Sequence, residues 1–204
     1  MTDSRKNPPV ILTHGFLSTR SMLLPFRKYL QKQGFRIYQT RLSPFCIQDV
    51  RLLAKQLGDT VEHVRRKEGV DRVDIVGVSQ GGVIGLYYLK ELGGVDTVRR
   101  LVAVGTPLQG TWAAVAGLPL LGAFSKGIWQ VLPNNSFVSA LTSEVPEDLD
   151  ITTISIAGDP ICPPARCRLE GARANIVLHH PPGPFKHQLM GVSRTVAREV
   201  ARAL

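Results

Sequence analysis

Ser79 sits in Gly77-Val78-Ser79-Gln80-Gly81, a G-x-S-x-G pattern. The apolar run Val73–Val76 precedes it and a helix-compatible stretch, Gln80 to Leu92, follows. That setting suits a serine nucleophile on a sharp strand-to-helix turn, with Oγ projecting over the end of a sheet. Glycines two residues away on each side let strand and helix pack closely. The N–H of Gln80 opens the helix and faces the place where negative charge develops during acyl transfer. A second oxyanion donor is expected from Thr13-His14-Gly15-Phe16, at the end of the first apolar run, with the Phe16 N–H as the candidate.

A serine hydroxyl needs a base, and the base needs an orienting acid. After Ser79 the histidines are His179, His180 and His187. His187 is favoured by position, at a loop-to-helix junction beyond the last strand. His179 and His180 are its rivals at that strand's end. For the acid, Asp159 in Ala157-Gly158-Asp159-Pro160 follows a strand and lies in a tight loop. Glu170 is an alternative. So are Asp148 and Asp150, but these two precede the strand and sit at its other end.

These residues need a scaffold that gathers strand ends. Strands are expected at Val10–Thr13, Arg36–Thr40, Val73–Val76, Leu101–Val104, Ile151–Ala157 and Asn175–Leu178. Helices are expected at Ser21–Gln33, Ile47–Lys67, Gln80–Leu92 and Phe185–Leu204. The second carries the clearest stripe, with Ile47, Val50, Leu53, Leu57, Val61 and Val64 at three- and four-residue steps. The last has Leu189, Val192, Val196 and Val200 in phase. Strands alternating with helices predict an α/β fold, with about six mostly parallel strands and helices on both faces. Gly110 to Asp150 breaks the rhythm, being long, apolar and without an evident strand.

The 204 residues suit one domain, 1–204, with 110–150 as a cap- or lid-like insertion. A net charge of +9 raises nucleic acid or anionic membranes as partners. The basic residues are scattered, however, and their longest run is Arg65-Arg66-Lys67, so a nucleic-acid footprint is not expected. No apolar run approaches the ~18 residues of a membrane span. No leader-like apolar segment opens the chain, so a cytoplasmic location is expected, although a processed secreted form would read the same way. The three cysteines, Cys46, Cys162 and Cys167, do not make a disulfide scaffold. Cys162 and Cys167 are close enough to bridge if their loop folds back, but a cytosolic chain is expected to keep them reduced. No Cys/His spacing resembles a zinc site.

In order along the chain stand His14-Gly15-Phe16, the Gly77–Gly81 elbow, Gly105-Thr106-Pro107-Leu108-Gln109-Gly110, Gln130-Val131-Leu132-Pro133-Asn134-Asn135-Ser136, Asp159 and His187. Together they resemble small bacterial lipases and esterases of the α/β-hydrolase superfamily, from about Pro9 to the end. The resemblance implies a reduced α/β-hydrolase fold that lacks the first strands of the full fold. It implies a Ser79–His187–Asp159 triad, an oxyanion hole from Phe16 and Gln80, and a lid over the site. Val78 and Leu108 stand where such enzymes often have histidine. The expected activity is hydrolysis of short- to medium-chain carboxylic esters through an acyl-enzyme. Leu17, Leu108, Trp112, Leu121, Phe124 and Trp129 are expected to line the acyl pocket. No cofactor or metal is expected. The expected partner is a small-molecule or lipid ester, with transient contact to a lipid interface. Thioesterase, lactonase or acyltransferase activity would use the same residues, and a non-catalytic binding protein is the remaining alternative.

Overall fold

A computed structural model describes residues 7–146, 148–179 and 186–204. Its strands are β1 (Val10–Thr13), β2 (Ile37–Gln39), β3 (Val73–Val78), β4 (Val98–Val104), β5 (Asp150–Ile156) and β6 (Ala174–Leu178). Its helices are α1 (Leu24–Lys32), α2 (Val50–Glu68), α3 (Gln80–Glu91), α4 (Trp112–Leu121), α5 (Lys126–Gln130), α6 (Ser136–Thr142), α7 (Pro164–Cys167) and α8 (Arg194–Ala203). The strands form one sheet in the order β2-β1-β3-β4-β5-β6, and every pairing is parallel. Parallel pairing puts all carboxyl ends on one edge, where sites in open α/β sheets gather.

Alternation along the strands splits the core in two. Ile11, Ile75 and Leu101 pack with the α2 stripe and α3. Val10, Leu12, Val76 and Val102 pack on the other face with Phe26 and Leu30 of α1 and Val196 and Val200 of α8. Both faces of β3 are therefore covered, and all six of its residues are buried.

Three expected helices begin or break elsewhere. Arg20–Leu23 is a 3-10 turn ahead of α1. The second helix starts at Val50, not Ile47, because Asp49 caps it by accepting the Arg51 N–H at 2.9 Å. The last is broken: its expected start, Phe185, lies outside the described residues, Gln188–Gly191 is a 3-10 turn, and α8 starts after Ser193, whose Oγ accepts the Val196 N–H. Leu189 and Val192 are partly exposed, at 40% and 43%, although they keep phase with Val196. The region after Gly110 forms α4, α5 and α6 and joins β5.

At the amino ends of the central strands, Arg99 grips Asp74 with two hydrogen bonds, 2.9 and 2.5 Å. Arg99 and Arg100 also donate to the Leu204 carbonyl, and Arg100 to that of Ala203. This basic pair fastens the end of α8 to the sheet rather than facing solvent alone.

Candidate active site

The turn after β3 holds Ser79 at φ 55° and ψ −129°, left-handed for a residue with a side chain. Such strain persists only where the surroundings impose it. The Ser79 N–H donates to the Val104 carbonyl at 2.7 Å, fixing the turn against β4. A Cβ on Gly77 would come within 2.5 Å of the Gly81 backbone, and one on Gly81 would strike the Thr13 carbonyl. The two glycines of the elbow are therefore demanded by backbone crossings on both sides.

His187 follows β6 in the chain and reaches across to the serine. Its Nε2 is 2.9 Å from Ser79 Oγ and its Nδ1 is 2.8 Å from Asp159 Oδ2. Asp159 is buried just beyond β5. Its other oxygen, Oδ1, accepts the Ile161 N–H at 2.9 Å and the Cys162 N–H at 3.2 Å. Two backbone donors thus hold the carboxylate while its free oxygen faces the imidazole. With Nδ1–H donating to Asp159, Nε2 is left to accept the serine proton. His179 and the acidic residues Asp148, Asp150 and Glu170 take no part in this chain. Asp150 instead pairs with Arg100 and Arg173. His180 lies outside the described residues.

The loop after β1 closes the other side. A Cβ on Gly15 would fall 2.7 Å from Ser79 Cβ and 3.0 Å from Gln80 N. The segment carrying Phe16 therefore runs directly against Ser79 and the first N–H of α3. This loop is braced from behind. The Leu17 N–H donates to the Phe45 carbonyl at 2.7 Å, and Leu17, Phe45 and Cys46 all have positive φ. His14 is buried, with Nδ1 3.3 Å from Cys46 Sγ. Burial holds the His14 imidazole below its ordinary pKa and pushes the Cys46 thiol up to about 12. The Gln80 carboxamide is buried against Gly127, where a Cβ would come within 2.6 Å of Nε2.

A cavity of about 480 Å³ opens beside Ser79 and His187. Of the expected liners, Leu17 and Leu121 border it, as do Phe16 and Gln80. The other four do not. Leu108 is buried in the core beneath. Trp112, Phe124 and Trp129 are largely exposed outside it. Trp112 stands near the Arg166 guanidinium, 6.0 Å from ring centroid to Cζ, and Trp129 Nε1 donates to the Gly122 carbonyl at 2.8 Å. The wall consists instead of smaller groups, among them Met22, Leu23, Ala114, Gly117, Ile128 and Ile161. Helix α4 is apolar on every side, so its sequence does not say which side faces the cavity. The glycine and alanines at positions 113, 114 and 117 are the one signal, since small residues mark a close approach.

Among the described residues no group of three or more His, Cys, Asp or Glu is placed to hold a metal ion. Nor is any helix among them long and apolar enough to cross a membrane.

A family model described as the alpha/beta hydrolase fold matches residues 8–127. A search of curated proteins finds no match. Among solved structures, the mature lipase BlEst2 of Bacillus licheniformis superposes with a TM-score of 0.76 at 15% identity, covering 96% of this chain and 92% of that one. Of the propeptide form of that lipase, this chain covers 50%. Lipase B of Aspergillus fumigatus gives a TM-score of 0.68 at 19% identity, covering 86% of this chain and 44% of that one. A lipase-esterase related protein of Clostridium acetobutylicum gives 0.63 at 17% identity, covering 98% and 96%. At these identities the likeness speaks for the shared fold.

Proposed function

The chain belongs to the α/β-hydrolase fold family, and from that premise we propose that it is a carboxylic-ester hydrolase with Ser79 as nucleophile, His187 as general base and acid, and Asp159 as its orienting partner. The observation that carries this reading is the unbroken hydrogen-bonded path from Ser79 Oγ through both nitrogens of His187 to Asp159. In the reaction His187 Nε2 takes the Ser79 proton as Oγ attacks the acyl carbonyl. The tetrahedral oxyanion accepts the N–H groups of Phe16 and Gln80. The imidazolium, steadied by Asp159, then protonates the departing alkoxide. Water repeats the sequence on the acyl-enzyme and frees Ser79.

The cavity supports an acyl chain of short to medium length. Its volume of about 480 Å³ and its aliphatic wall suit a hydrocarbon tail. In this reading the segment 110–150 acts as a cap within a single domain. Its outer surface carries Trp112, Leu120 and Phe124, the last two each 80% exposed. Exposed apolar groups of this size next to a site fit transient contact with a lipid interface.

Hydrolysis of a p-nitrophenyl ester series by wild type and Ser79→Ala tests the reading. Turnover by wild type, falling about four to six orders of magnitude in the variant, is the expected result. Equal inactivity of both across all chain lengths would overturn it. A fluorophosphonate probe should label wild type at Ser79, which also separates the reading from a non-catalytic binding protein.

A further inference from the structure

Asp159, Cys162 and Cys167 share one short excursion between β5 and β6. Cys162 donates its N–H to Asp159 Oδ1 and forms part of the cavity wall. Cys167 closes α7, and its Sγ lies 3.3 Å from Cys162 Sγ and 3.4 Å from the Cys162 carbonyl. Both side chains are buried. The loop has thus folded back so that two thiols touch directly behind the backbone donor that holds the carboxylate. The same loop is tied to the root of the cap, because Thr111 Oγ donates to the Ile161 carbonyl, and to the residue just before it, because Arg166 donates to the Gln109 carbonyl at 2.7 Å.

We propose that Cys162 and Cys167 are a disulfide-forming pair whose bond fastens the loop that presents Asp159 to His187. The reaction is thiol–disulfide exchange with a donor of the glutathione-disulfide class. One cysteine thiolate attacks the donor and releases one donor thiol. The second cysteine then attacks the mixed disulfide and releases the other. The pair loses two protons and two electrons, and the donor gains both as it becomes two thiols. The Sγ atoms need to approach by about 1.3 Å to reach bonding distance.

Contact with Cys167 and burial both raise the Cys162 pKa, so the folded loop holds it as an unreactive thiol. The bond therefore forms most readily while the chain folds, before the loop closes. Once made, it is shielded from reductants by the same burial. Cys46 takes no part, since it lies beside His14 across the site.

The consequence for catalysis rests on Asp159 being the triad acid, whereas the bond itself does not. The test is to refold reduced protein in oxidised and reduced glutathione, then denature it and block free thiols with N-ethylmaleimide. The expected intact mass carries one maleimide, on Cys46, and peptide mapping finds Cys162 joined to Cys167. Three maleimides, or a bond through Cys46, would overturn the pairing. The bridged protein should melt about 5 °C above both the Cys162→Ala/Cys167→Ala variant and wild type refolded and kept in a phosphine reductant, so that the bond never forms. Should the variant not fold, the reductant comparison stands alone. Equal melting of bridged and reduced wild type would overturn the fastening role. Because mass and melting need no turnover, an inactive Ser79 leaves this result intact, and an unbridged pair leaves the esterase reading intact.

Discussion

Gly15 lies so close to Ser79 that a Cβ at position 15 would stand 2.7 Å from the serine's own Cβ. Neither residue can yield: Ser79 is held by the Val104 carbonyl, and the loop after Gly15 is held by the Phe45 carbonyl. Gly15→Ala should push the Phe16 N–H out of line with a developing oxyanion. The expected result is a kcat for p-nitrophenyl butyrate lower by about 10²- to 10³-fold, the cost of one oxyanion donor. Wild-type turnover in this variant would show that the loop after β1 has no share in the chemistry.

Much of this arrangement is legible in the amino-acid sequence, for a physical reason. Buried parallel strands read as short apolar runs, and parallel pairing must bring their carboxyl ends together. Ser79, Asp159 and His187 each follow a different run, so their meeting follows from topology rather than spacing. The cavity wall is not legible in the same way. In α4 every side chain is apolar, so periodicity cannot tell Ala114, which is buried, from Leu120, which is not. The large aromatic residues that look like pocket liners are outside, and Leu108 belongs to the core. The brace of Phe45 and Cys46 is also hidden, since left-handed backbone at those residues carries no glycine to announce it. The break at Ser193 is concealed because Leu189 and Val192 continue the phase of α8.

Asp159→Asn isolates the orientation of His187, the proposed base. Asparagine Oδ1 can still accept the Ile161 and Cys162 N–H groups, which keeps the loop in place. Its amide then presents N–H to His187 Nδ1, which forces the proton onto Nε2 and removes the acceptor for Ser79. Turnover should fall by about 10⁴-fold, as in serine-protease triads, while melting changes little. Activity near wild type would mean that another carboxylate orients His187.

Leu121→Trp tests where the acyl chain lies. Leu121 is the cavity-lining residue at the end of α4. A larger side chain there should shorten the pocket while leaving Ser79 and His187 untouched. The expected outcome is little change in kcat/KM on acetate and a loss of at least about tenfold on octanoate, the scale of a few displaced methylenes. A uniform fall across all chain lengths would instead point to damage at the reacting centre.

Arg99→Gln probes the opposite end of the sheet, where the pH dependence should carry a definite sign. Burial holds the Asp74 carboxyl above its ordinary pKa of 3.8, and the Arg99 guanidinium pulls the other way. Removing Arg99 raises the folded pKa further, because the carboxylate loses both its hydrogen bonds and its hydrogen-bonded counter-charge, leaving only the charge of Arg100 nearby. A folded pKa above the unfolded one gives stability that is full below about 3.8 and is lost as pH rises through the folded value. The variant should therefore fall furthest behind wild type near neutral pH, by about 3 kcal/mol for a buried carboxylate stripped of its partner. The gap should narrow as the pH falls toward 4 and Asp74 gains its proton. Urea unfolding of both proteins at pH 4.5 and pH 7 measures it, and an equal gap at the two values would mean that Arg99 acts through its bond to the Leu204 carbonyl rather than through Asp74.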